Sequence, residues 1–180
     1  SWNALIAGFA QEGQGHEALN CYEQMESEGL SPDAVTFICI LKACGNASNL
    51  DKGKQFHDDI VSRGLLEKNS ILGNALVDMY ARCGELEKAQ RLHCVLPTRS
   101  ISSWNALITG YVQHGHNHQA MNCFQEMQNQ GLLPDAVTFT CILKACGQLG
   151  VLDKGKQIHD EIVSSGLLEE NVMLGTAVVD

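Results

Sequence analysis

Positive charge is scarce in this chain. Twelve lysines and arginines face 21 aspartates and glutamates, for a formal net charge of −9. That balance counts against a polyanionic partner at first sight, since nucleic-acid affinity rests largely on neutralised phosphates. No apolar run approaches the roughly 20 residues of a membrane-spanning helix. No C-x-x-C pair occurs among the eight cysteines, so the usual spacing of a structural zinc site is missing. Cys39, Cys44, Cys83, Cys141 and Cys146 fall in helical stretches, where a free thiol acts as a small hydrophobe and fits a reducing compartment. His114, His116 and His118 fall in an expected inter-helix turn and read as solvated. No H-x-E with a downstream P-C-x-x-C is present, which excludes the metal and general acid–base set of a zinc deaminase from these residues. No cofactor or metal is expected. Period-two alternation is absent, which leaves no strand signal. No signal or transit peptide opens the chain, and Ser1-Trp2 begins inside a repeat; the expectation is a fragment of a longer array.

What is present is repetition. Residues 103–180 repeat residues 1–78 without a gap, with 50 of the 78 positions identical. Ser1-Trp2-Asn3-Ala4-Leu5-Ile6 returns as Ser103-Trp104-Asn105-Ala106-Leu107-Ile108. The unit subdivides further. Asn3-Ala4-Leu5-Ile6 aligns with Asn74-Ala75-Leu76-Val77, and a weaker copy lies between them, with Ile38 in the place of Asn3. The steps are 35, 36 and 31 residues before the cycle restarts. Periods of this size mark solenoids, whose repeats bury their apolar faces against neighbours.

Each repeat reads as two helices. Trp2, Leu5, Ile6 and Phe9 form an amphipathic stripe ended by Gly13; Ala18, Leu19, Tyr22 and Met25 form a second, closed by Gly29 and Pro32. Gly8, Ala18, Ala43, Gly53, Ala89, Gly110, Ala120 and Gly155 recur where paired helices are expected to cross closely. The acids Glu17, Glu23, Glu26, Glu28, Asp58, Asp59, Glu85 and Glu87 fall on second helices, whereas Lys42, Arg82 and Lys144 fall on first helices. A modest basic groove on an acidic body is therefore compatible with the net charge.

The tetratricopeptide signature matches poorly. The segments Trp-Asn-Ala-Leu-Ile, Gly53 to His57, Gly73 to Gly84 and Met25 to Asp33 instead resemble pentatricopeptide repeats over the whole chain. The 35, 36, 31 cycle resembles the land-plant subclass with standard, long and short motifs. In that register the repeats are 1–33 standard, 34–69 long, 70–100 short, 101–135 standard, 136–171 long and 172–180 a truncated short repeat. The resemblance implies an all-α, right-handed α-solenoid of helix-turn-helix repeats. First helices would line the concave groove and second helices would face outward.

It also implies single-stranded RNA binding at one base per repeat, read by paired side chains. The pairs are Asn3 with Asp33, Asn74 with Ser100, and Asn105 with Asp135. In the family, Asn with Asp goes with uracil and Asn with Ser with cytosine. An Asn amide carries donors and an acceptor, which suits a pyrimidine edge. The long repeats place Ile38 with Asn69, which reads little, and Thr140 with Asn171, which favours adenine. Val35, Ile71, Val137 and Met173 would sandwich the bases, with Ser102 departing from that pattern. The expected target reads U, any, C, U from 5′ to 3′.

The resemblance further implies the recognition module of a C-to-U RNA-editing factor in mitochondrion or chloroplast, with editing cofactor proteins as possible partners. The alternative is a protein- or peptide-binding helical scaffold, for which acidic charge is no obstacle.

Overall fold

The computed structural model describes residues 1–67 and 69–166. Asn171, Met173 and the expected truncated repeat 172–180 lie outside the described residues. Among the described residues there are ten α-helices and no strand. The chain divides into two units, Ser1–Arg99 and Ser100–Asp180.

The first unit holds three helical hairpins: α1 (Trp2–Gln11) with α2 (Gly15–Ser27), α3 (Ala34–Asn46) with α4 (Leu50–Ser62), and α5 (Ser70–Arg82) with α6 (Leu86–Val95). The first helices form a row, α1 against α3 and α3 against α5. The second helices lie behind it; α2 packs on both α1 and α3, and α4 on both α3 and α5. Ile6, Phe37, Ile40, Leu41, Leu72, Leu76 and Tyr80 fill the interior. Phe56 from α4 meets Tyr22 of α2 edge-on, with ring centres 4.9 Å apart.

The second unit holds α7 (Ile101–Gln113) with α8 (Asn117–Asn129), and α9 (Ala136–Leu149) with α10 (Leu152–Ser164). It repeats the plan: α7 packs on α9, α8 spans both, and α10 lies on α9. Trp104, Leu107, Ile108, Phe124, Phe139 and Ile142 form its core.

Local chemistry sets where these helices start and stop. Asp33 accepts from the Thr36 backbone N–H at 2.9 Å and opens α3. Asp135 does the same for α9, with Thr138 at 3.0 Å. Asn69 opens α5 through the Ile71 N–H, and Ser100 opens α7 through the Ser103 N–H. A side-chain acceptor there satisfies a backbone donor that has no partner inside the helix. The hairpin turns need left-handed backbone, which glycine supplies at Gly13 (φ 74°) and Gly84 (φ 81°).

Close approach explains only some of the expected small residues. Ala18, Ala43, Ala89 and Ala120 are wholly buried. A Cβ at Gly53 would sit 2.5 Å from the Met79 sulfur, and one at Gly15 would sit 2.7 Å from the Ala43 carbonyl oxygen. Gly8 differs: among the described residues nothing lies within 4 Å of such a Cβ, and at Gly155 the nearest atom is the Cys146 Cβ at 3.8 Å. Gly8 thus faces space that no described residue fills, whereas Gly155 is in ordinary van der Waals contact with α9.

Candidate nucleic-acid interface

Asn3 lies in the first turn of α1, and Asp33 caps α3. Packing of α1 on α3 joins residues thirty positions apart. The Asn3 amide donates to both Asp33 carboxylate oxygens, at 3.2 and 3.3 Å. The Thr36 hydroxyl donates back to the Asn3 amide oxygen at 2.7 Å. The second unit builds the same constellation more tightly. There the Asn105 amide donates to Asp135 at 2.9 and 3.0 Å, and the Thr138 hydroxyl reaches the Asn105 amide oxygen at 2.6 Å.

Each threonine hydroxyl also lies near the carboxylate, at 2.9 Å in the first unit and 3.0 Å in the second. A hydroxyl carries one proton. The shorter contact assigns it to the amide oxygen, so each asparagine turns its nitrogen to the carboxylate and its oxygen to the threonine. The sequence reading missed Thr36 and Thr138. Their signal was the Asp-x-x-Thr spacing of a reciprocal helix cap; both caps are reciprocal, because each Asp N–H also donates to the threonine oxygen at 3.1 Å.

Burial within the constellation is graded. Thr36 and Thr138 are wholly buried, Asn3 and Asn105 are half-buried, and Asp33 is exposed. The Thr36 backbone N–H holds the Asp33 carboxyl below the usual carboxylate range, aided by the Asn3 amide against partial desolvation. Asp33 is therefore a pure acceptor at neutral pH. Next to each pair stands an exposed aliphatic side chain: Val35, two residues after Asp33, and Val137, two residues after Asp135, each 53% exposed.

The remaining expected site residues are distributed differently. Asn74 is half-buried on α5 of the first unit, while Ser100 belongs to the second. Ile71 is exposed at the start of α5. The Thr140 hydroxyl donates to the Ala136 carbonyl at 2.8 Å, so it is engaged inside α9. Its expected partner Asn171, like Met173, lies outside the described residues.

Ion pairs occur on both helix layers. Arg82 of α5 pairs with Asp78 at 2.9 Å and donates to Asn46 at 3.3 Å. On the second helices, Lys52 pairs with Glu23 at 2.9 Å and Arg63 with Asp59 at 2.8 Å. Part of the acidity is thus neutralised locally, although exposed pairs of this kind add little stability. All eight cysteines are free thiols, and burial pushes Cys44 up to about 12. Among the described residues no group of three metal-binding side chains converges, and no helix is long and apolar enough to cross a membrane.

Comparison with known proteins places these features in context. The model of the PPR repeat family matches residues 1–65 and 99–148, and a PPR repeat model matches 74–101 and 137–167. The chloroplastic pentatricopeptide repeat-containing protein CRR2 of Arabidopsis thaliana is 40% identical over 164 residues, covering 89% of this chain and 24% of that protein. A mitochondrial pentatricopeptide repeat-containing protein of the same plant is 36% identical over 179 residues, 99% of this chain and 17% of its own length. The chain spans about a quarter of the length of the curated relatives it matches. Among solved structures, the pentatricopeptide repeat protein PPR10 in complex with an 18-nucleotide psaJ RNA element superposes with a TM-score of 0.76 at 25% identity, covering 93% of this chain and 26% of that one.

Proposed function

The chain belongs to the pentatricopeptide repeat family, and on that premise we propose that it reads single-stranded RNA one base per repeat. The observation that carries this reading is the Asn–Asp pair built twice, Asn3 with Asp33 and Asn105 with Asp135, each beside an exposed valine. PPR10, a relative in fold and sequence, is known bound to an RNA element.

The chemistry of the pair fits uracil. Uracil offers an N–H between two carbonyl oxygens. The Asp carboxylate accepts from that N–H, and the second proton of the Asn amide reaches a carbonyl. Cytosine presents a lone pair where uracil has its N–H, and the carboxylate repels it. Val35 or Val137 covers one face of the base with apolar surface. By the family's pairing Asn74 with Ser100 goes with cytosine and Ile38 leaves its base unread, so the preferred target is U, any, C, U from 5′ to 3′. Thr140 with Asn171 extends the reading towards adenine, and Ile71 and Met173 complete the aliphatic set.

The repeat classes are standard, long and short in the order 1–33, 34–69, 70–100, 101–135, 136–171 and 172–180. The module serves an RNA-editing factor of chloroplast or mitochondrion, the two compartments in the names of its relatives. Editing cofactor proteins are its further partners.

The test is an Asn105→Thr substitution assayed against four RNAs that differ only at the fourth base. The family's pairing moves the preference from U towards G. A misread base costs about 1–3 kcal/mol by analogy with duplex readout, hence on the order of tenfold in relative affinity. Equal weakening on all four RNAs would assign Asn105 to structure. Absence of any salt-sensitive RNA binding would favour a protein-binding scaffold instead.

A further inference from the structure

Thr36 and Thr138 have no place in the two-residue reading scheme, yet both are wholly buried and each gives its hydroxyl proton to the amide oxygen of the reading asparagine. The third hydroxyl at this register behaves differently. Ser103 lies three residues after its cap, as the threonines do, but donates to the Ser100 carbonyl at 2.9 Å.

An asparagine amide is ambiguous. Its nitrogen donates to uracil-like edges, and its oxygen accepts from the amino groups of cytosine or adenine. In both units the carboxylate engages the nitrogen and the threonine engages the oxygen. The oxygen keeps a second lone pair, but the two contacts together fix the orientation of the amide and leave an N–H for a base. Resting on the readout proposed above, we infer that Thr36 and Thr138 are positioning residues that support uracil selectivity by fixing the orientation of the Asn3 and Asn105 amides. Without the hydroxyl, the amide is held by one contact instead of two and can turn its oxygen towards a base amino group, which lowers the discrimination against cytosine. A base reader of this type is thus a triad spread over two repeats, Asn on one helix with Asp and Thr on the next first helix.

The experiment replaces Thr138 by Val, which keeps the branched shape and removes the hydroxyl, and by Ser, which restores it. The probes are four synthetic RNAs differing at the fourth base of U, any, C, U, with a second set varied at the first base. Thr138→Val should lower the U-over-C affinity ratio at the fourth base roughly tenfold. The ratio at the first base, which belongs to Asn3, should stay unchanged, and Thr138→Ser should restore the fourth-base ratio. Thr36→Val should give the mirror result. A merely structural threonine would weaken all RNAs alike and leave both ratios intact, which overturns the inference while leaving the readout standing. A chain with no fourth-base preference before substitution overturns the readout and the inference together. The carbon-13 shift of the Asn105 side-chain carbonyl gives an RNA-free check: it should move in Thr138→Val and return in Thr138→Ser, and an unmoved shift overturns the inference.

Discussion

Asp135 carries two loads that can be separated. It caps α9 through the Thr138 N–H at 3.0 Å, and it anchors the Asn105 amide at 2.9 and 3.0 Å. Asp135→Ala removes both. Loss of a helix N-cap costs about 1 kcal/mol. The half-buried Asn105 donor left behind adds roughly 0.5–1 kcal/mol, less than a fully buried group because water reaches it. The sum is about 1.5–2 kcal/mol, which for a unit this small lowers Tm by on the order of 10 °C. Asp135→Asn keeps a side-chain oxygen that caps nearly as well, so its stability cost should stay within about 0.5 kcal/mol. It does change the reading surface, because an amide can donate to the ring nitrogen of cytosine where a carboxylate cannot. Calorimetry and fluorescence anisotropy with RNAs ending in U or C should therefore give opposite orders. The alanine variant melts early, while the asparagine variant melts normally and loses about tenfold in U-over-C preference. If Asp135→Asn melts as early as Asp135→Ala, the capping argument fails. If it melts normally and still prefers U, the carboxylate does not read the base.

Two further outcomes follow from packing and titration. Gly15→Ala should destabilise the first unit by about 1–3 kcal/mol, because the new Cβ meets the Ala43 carbonyl, which cannot swing aside; a chemical-denaturation midpoint equal to wild type would refute this. His93 is 2% exposed, and burial, helped by the charge of Arg99, brings its pKa down from 6.5 to about 4. The unfolded chain then takes up a proton that the folded chain refuses. Stability is full above pH 6.5 and falls as pH drops towards 4, by up to about 2 kcal/mol between pH 7 and 5. Thermal melts of His93→Leu should show a visibly smaller loss over that interval, and an identical loss would exclude His93 as the source.

The repeat period, the helical stripes and the terminating glycines determined the all-α hairpin class without coordinates, because amphipathic spacing and caps are local properties of the chain. The pairs Asn3 with Asp33 and Asn105 with Asp135 were also legible, through register and family resemblance. The threonines were not. Thr36 and Thr138 look like ordinary first-turn residues, and their contact with an asparagine thirty-three positions earlier exists only once α1 lies on α3 and α7 on α9. The two tryptophans teach the same lesson. Trp2 and Trp104 sit in identical hexapeptides, yet Trp2 remains partly exposed and donates to Glu28 at 3.2 Å, whereas Trp104 is buried to 2%. Local sequence decides which residues make a helix and which face is apolar. Which copy of a repeated residue is buried, oriented or spare depends on the neighbouring helix that covers it, and only the tertiary structure supplies that neighbour.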